Sequence, residues 1–143
     1  VLQETTFWII VTAISVVAMV YAMGVAVASG GTSAELFLIS NPTTQITDRE
    51  FKEAFTGDRA IVGTTKLVPV DNASAQTSFL SIAIGMKEAR YNVVWTKRSY
   101  REGMIPPVVK PDDSDVLDFV RKTPGAIGYV RLEPTGVNIV RRY

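Results

Sequence analysis

The chain has 143 residues, 47% hydrophobic and 20% charged, with a formal net charge of +1. It contains no cysteine and no histidine. That excludes a disulfide framework, a thiol nucleophile and a zinc centre of the usual ligands, and the balanced charge carries no nucleic-acid signature.

The first element is an uncharged run of about 22 residues, Phe7 to Ala28. As a helix it is long enough to cross roughly 30 Å of hydrocarbon. Three readings are open: a membrane span, a secretion signal and a core helix. Val27-Ala28-Ser29 has the small residues of a signal-peptidase site, but the run exceeds the usual signal core. A domain of this size cannot surround such a helix on every side. The span is therefore the expectation, with Phe7 and Trp8 at its start. Ala18, Ala22 and Gly24 are small enough to let a neighbouring helix approach closely. Glu4 is the only charge before the run and no Lys or Arg precedes Arg49, so the positive-inside rule gives no orientation. An apolar N-terminal helix with an acidic residue near its start also resembles the layout of type IV pilin-like subunits. That resemblance implies a helix packed among copies of itself in a filament. Residues 1–34 are thus read as the apolar helix and a small-residue linker, and 35–143 as a separate domain.

Leu36-Phe37-Leu38-Ile39-Ser40 is a continuous apolar run ended by Asn41-Pro42, the pattern of a strand buried on both faces. Thr47 followed by Glu50 is a capping box, with Ile46 and Phe51 as its hydrophobic staple. Phe51 and Phe55 share the inner face, and Gly57 ends the helix. Lys66 to Val70 reads as a second strand, with Pro69 implying an edge or strand end. Asp71 to Ser74 reads as a turn into a helix that buries Phe79, Leu80, Ile82 and Ala83 and closes at Gly85. Met86 to Ser99 is a further helix with Tyr91, Val94 and Trp95 inward. Gly103 to Pro111 is a proline-rich connection that cannot be helical. Asp112 to Asp115 start a helix through Lys122, with Val116, Phe119 and Val120 inward and charges that suit the helix dipole. Ala126–Leu132 and Val137–Val140 are strands. Strands alternating with helices indicate an α/β domain with a largely parallel or mixed sheet.

Several of these pieces, in this order, resemble the phosphate-binding family of periplasmic solute-binding proteins. They are Ile39-Ser40-Asn41-Pro42, the helix ending Phe55-Thr56-Gly57, Val68-Pro69-Val70, and Pro124-Gly125-Ala126-Ile127-Gly128-Tyr129-Val130. The resemblance runs from Glu35 to about Leu132 and is to the short form of the family. It implies a single-lobe type 2 periplasmic-binding-protein-like domain, an extracytoplasmic location and capture of phosphate or another oxyanion for an ABC importer. Family members carry a G-S-G-T-like turn whose amides and hydroxyls face the anion. The matching stretch here is Asn72-Ala73-Ser74-Ala75-Gln76-Thr77. Ser74 matches the serine, and Thr77 or Ser78 the threonine. Both glycines are alanine, which restricts close backbone approach. The candidate ligand residues are therefore Ser40, Asn72, Ser74, Thr77 and Ser78, around one cleft. Helix capping alone also accounts for Asn72 and Ser74.

Other candidates have plainer explanations. Lys97-Arg98-Ser99-Tyr100-Arg101 is a basic cluster for an anion, a lipid surface or a partner, or a solvated helix end. Asp112, Asp113 and Asp115 match no calcium loop, and capping explains them. Arg141-Arg142-Tyr143 reads as an exposed tail, and Trp95 and Tyr129 as core aromatics. No motif calls for a metal, a cofactor or nucleic acid, and no nucleophile–base pattern calls for catalysis. Two functions follow. One is a membrane-anchored extracytoplasmic oxyanion-binding-like module. The other is a non-catalytic accessory subunit of a membrane complex or filament, its domain without ligand and residues 7–28 packed against other subunits.

Overall fold

In the computed structural model, residues 35–143 are described; Phe7–Ala28 and its proposed contacts lie outside them. Among the described residues no helix is long and apolar enough to cross a membrane. The elements in chain order are β1 (Phe37–Ser40), α1 (Asp48–Phe55), β2 (Ile61–Val62), β3 (Thr65–Lys66), β4 (Val68–Asn72) and α2 (Gln76–Phe79). A π-helical turn over Leu80–Ile84 follows, then α3 (Glu88–Glu102), β5 (Val108–Lys110), α4 (Asp113–Lys122), β6 (Ala126–Val130) and β7 (Asn138–Arg142).

Five strands form one mixed sheet in the order β5-β4-β6-β1-β7. β4 runs parallel to β5 and β6, whereas β1 runs antiparallel to β6 and β7. β1 and β6, inside the sheet, are buried on both faces, which is why β1 reads as an unbroken apolar run. Leu36, Leu38, Ile127 and Tyr129 join the core under α1, α2 and α3. Phe37, Ile39, Val70, Ala126 and Val130 join the core under α4. The aromatic centre of the first core is Phe55, Phe79 and Tyr129, with Phe79 stacked on Tyr129 at 3.8 Å between ring centroids.

The local signals at α1 act as the sequence implies. The Glu50 amide donates to Thr47 Oγ1 at 3.3 Å and the Thr47 amide donates to Glu50 Oε2 at 2.9 Å. Phe51, Ala54 and Phe55 are buried. Asp112 caps α4 by accepting the Asp115 amide at 3.0 Å; Val116 and Val120 are buried and Phe119 is half-buried.

Five features differ from the pattern reading. The segment before β4 is a hairpin, β2–β3, turned at Gly63-Thr64. The positive φ at Gly63 alone is what a type II′ turn requires. Pro69 lies inside the sheet, but it precedes Val70, the first residue of β4 that β5 reaches, so its missing donor costs nothing on that side. The proline-rich connection holds strand β5, and β7 continues through Arg142, so Arg141 and Arg142 belong to a strand paired with β1 instead of a tail. Ile82 is 44% exposed, not buried. The π turn explains this: the amides of Gly85 and Met86 both donate to the Leu80 carbonyl, at 2.7 and 3.0 Å. The wider turn rotates Ile82 outward while Leu80 and Ala83 stay inward.

Gly128 sits where α4 presses closest to the sheet. A Cβ there would stand 2.8 Å from Val70 Cγ1 and 2.9 Å from Val116 Cγ1. Gly128→Ala should therefore lower stability by about 1–3 kcal/mol through overpacking, read as a fall in the urea midpoint at unchanged slope.

Candidate functional site

In an open α/β sheet, ligands meet the protein at the carboxyl ends of the parallel strands. Here that end is formed by Asp71 and Asn72 of β4, Lys110 of β5 and Val130 of β6, with the first turns of α2 and α4 beside them.

Asn72 is fully buried and ties this end together. Its Nδ2 donates to Asp113 Oδ1 at 2.6 Å and to the Tyr129 carbonyl at 3.1 Å. Its Oδ1 accepts from the Ser74 amide at 3.1 Å and the Ser74 hydroxyl at 2.7 Å. The Ser74 contacts form an Asx turn, which bends the chain out of β4. Asp113 completes the network: its Oδ2 accepts the amides of Arg131 and Leu132, each at 2.9 Å. One amide side chain and one carboxylate thus join β4, α4 and the exit of β6.

Beside this network lies a second polar group. Asp71 is 2% exposed. Its Oδ2 accepts from the Tyr91 hydroxyl and its Oδ1 from the Tyr129 hydroxyl, each at 2.9 Å. Burial pushes the Asp71 carboxyl above the usual carboxylate range, against the opposing pull of the tyrosine hydrogen bonds. Burial, and next the Asp71 charge, push both tyrosine hydroxyls upward, so they stay protonated as donors.

The expected ligand residues divide. Asn72 and Ser74 are together but bonded to each other. Thr77 is exposed and Ser78 half-buried in the first turn of α2, and no side-chain hydrogen bond among the described residues ties either. Neither Asn72 nor Ser74 caps that helix; its N-cap is Ala75, with no side-chain cap. Thr77 also lines a shallow depression of about 480 Å³ with Ser81, Gly85, Met86, Lys87 and Glu88. Ser40 is not part of this end. Ser40 and Pro69 both register with Ile127, while β4 continues three residues further to Asn72. Antiparallel β1 therefore carries Ser40 towards the amino ends of β4 and β6. There its hydroxyl donates to the Thr44 carbonyl at 2.8 Å, and Thr44 Oγ1 accepts the Gly125 amide at 3.0 Å. The single cleft expected around Ser40, Ser74 and Thr77 does not form, because β1 runs opposite to β4.

Chemically, the Asn72–Asp113 network and the Asp71 group are sets of satisfied bonds. Ser74 donates to an amide oxygen and Ser40 to a carbonyl, neither of which is a base. Asp112 and Asp113 accept backbone amides. Among the described residues no group of three or more His, Cys, Asp or Glu side chains is placed to hold a metal ion. The basic cluster on α3 is partly engaged: Arg98 pairs with Asp58 and with Glu102, whereas Tyr100 is 91% exposed.

Pattern reading took Asp71 for a turn residue and Asp113 for part of a helix cap, whereas Asp71 lies in β4 and Asp112 alone caps α4. A signal was present for Asp71: tyrosines at inward positions need partners for their hydroxyls, and a carboxylate ending an apolar strand supplies two acceptor atoms. Nothing local marks Asp113, since its partners are 41 and 18 residues away.

Removing the Asp71 carboxylate orphans two buried hydroxyls, so Asp71→Ala should cost about 2–4 kcal/mol in urea unfolding. The pH response has a fixed sign. A folded-state pKa above the unfolded one stabilises the fold below the unfolded value, and that contribution is lost as pH rises through the folded value. Measured from about pH 4 to neutrality, Asp71→Asn should therefore gain stability relative to the unsubstituted chain.

No family model matches the chain, and no curated protein matches it. Among solved structures it is similar to an ABC-type phosphate transport receptor from Vibrio cholerae, at 14% sequence identity and a TM-score of 0.44. The match covers 76% of this chain and 46% of that one, so the chain spans less than half of that receptor's length.

Proposed function

We propose that the chain is a non-catalytic module of the cell envelope, held in a membrane or a larger assembly through residues 7–28. Its α/β domain faces the extracytoplasmic side and uses its ligand-type turn for internal structure. The observation that carries this reading is the bonding of that turn. Ser74, which matches the anion-facing serine of the family it resembles, donates its hydroxyl to Asn72, and Asn72 donates to the Asp113 carboxylate. An incoming anion would meet a carboxylate and a serine whose proton is already committed, where glycines would otherwise allow the backbone to approach. In this reading the domain offers surfaces to neighbouring subunits of a membrane complex or filament.

A second reading, oxyanion binding, is favoured by one observation. The first turn of α2 has no side-chain cap, and Thr77 and Ser78 beside it are without side-chain hydrogen bonds among the described residues. Amides at a helix start favour an anion, and the sequence resemblance points to phosphate.

Calorimetric titration of the full chain with inorganic phosphate separates the two. The first reading expects no saturable heat at millimolar phosphate. Saturable heat that disappears in Thr77→Ala would transfer the function to the second. Gentle detergent extraction tests the assembly itself. A particle larger than the detergent-bound monomer is expected, and a monomer free of partners would end the assembly reading.

A further inference from the structure

The opposite end of the sheet carries a different kind of site. A cavity of about 280 Å³ lies where the β2–β3 hairpin meets the exit of α3. Its apolar lining includes Leu67, Trp95 and Met104, and Ile105 stands at it 84% exposed. Trp95 is held rigidly, its Nε1 donating to the Phe55 carbonyl at 3.0 Å. Among the described residues the charged ones in the lining are Arg59 and Lys66, and none is acidic. Arg59 is fixed by Glu53 at 2.7 Å, and Glu53 also holds Arg49. Lys66 is exposed and makes no ion pair among the described residues. Gly103, at the carbonyl end of α3, also lines the cavity, so a negative group is drawn to the hairpin side instead of the helix end.

We propose that this cavity is a binding site for a small amphipathic organic acid. The apolar body rests against Trp95, Leu67 and Met104, and the carboxylate is held by Lys66 with Arg59 beside it. A rigid aromatic wall, a soft methionine and a cationic rim without acids are the complement of such a molecule. The volume accommodates one ring or a short chain. Lys66 stands on a β-hairpin tied to the core by the bond from the Leu67 amide to the Ala60 carbonyl at 2.8 Å. The cation is therefore presented from a defined backbone. The site lies at the amino end of β4, away from Ser74 and Thr77, and does not depend on whether the carboxyl end binds phosphate.

The test is an NMR titration of the full chain in lipid nanodiscs, with 15N-labelled tryptophan and 4-phenylbutyrate as the probe. The chain has two tryptophans, Trp8 and Trp95, which give separate indole signals. A saturable shift of the Trp95 signal alone is expected, with a midpoint on the order of one millimolar. The neutral probe 4-phenylbutyramide should bind about threefold more weakly, as should the Lys66→Gln variant towards the acid. Lys66 is exposed, so that variant keeps the fold, which the unchanged Trp95 indole position without probe verifies. No saturable shift at tens of millimolar, equal affinity for acid and amide, or equal shifts of Trp8 and Trp95 would each overturn the proposal.

Discussion

Two buried polar side chains in sequence, Asp71 and Asn72, end the inner strand β4, and the domain depends on both being satisfied. A buried carboxylate or amide without partners costs more than most single contacts in a core return. The fold answers from four directions. Tyr91 comes from α3, Tyr129 from β6, Asp113 from α4 and Ser74 from the turn itself. These bonds fix where α3 and α4 sit along the sheet, one on each face. The apolar contacts then fill the layers: the stacked Phe79 and Tyr129 on one side, Val116 and Val120 on the other.

The same satisfaction limits chemistry. A binding turn needs donors that are free before the ligand arrives. Here the donors are committed, and negative charge stands beside them. The short α2, followed at once by a π turn, presents little aligned dipole behind its first amides. Any function at this end rests on Thr77, Ser78 and the open surface around them.

Much of the fold was legible in the sequence because its signals are local. The Thr47–Glu50 box, the Asp112 cap, the apolar β1 run and the i, i+4 pair Phe51–Phe55 each act within a few residues. What escaped reading is set by distant partners. The β2–β3 hairpin has two-residue strands, too short for alternation to register. β5 was hidden by Pro106 and Pro107, which exclude a helix but tolerate an edge strand. Asp71 and Asn72 look like turn formers and become strand residues only because Tyr91, Tyr129 and Asp113 reach them. For the site, residue types singled out the turn at Asn72–Thr77, which lies at the carboxyl end of β4. Placing Ser40 with it failed because nothing in β1 itself declares that it runs antiparallel to β6.

The segment Gly125 to Val130 is set by packing. Gly125 has φ +80 and no room for a side chain against the Lys66 carbonyl. Gly128 lets α4 close on the sheet, and the Tyr129 hydroxyl serves Asp71. Ala126, Ile127 and Val130 are buried in the two cores, so the whole segment answers to architecture. Any chain that closes a helix onto this sheet and a hairpin onto the same turn needs glycine at these two points, whatever else its surface does.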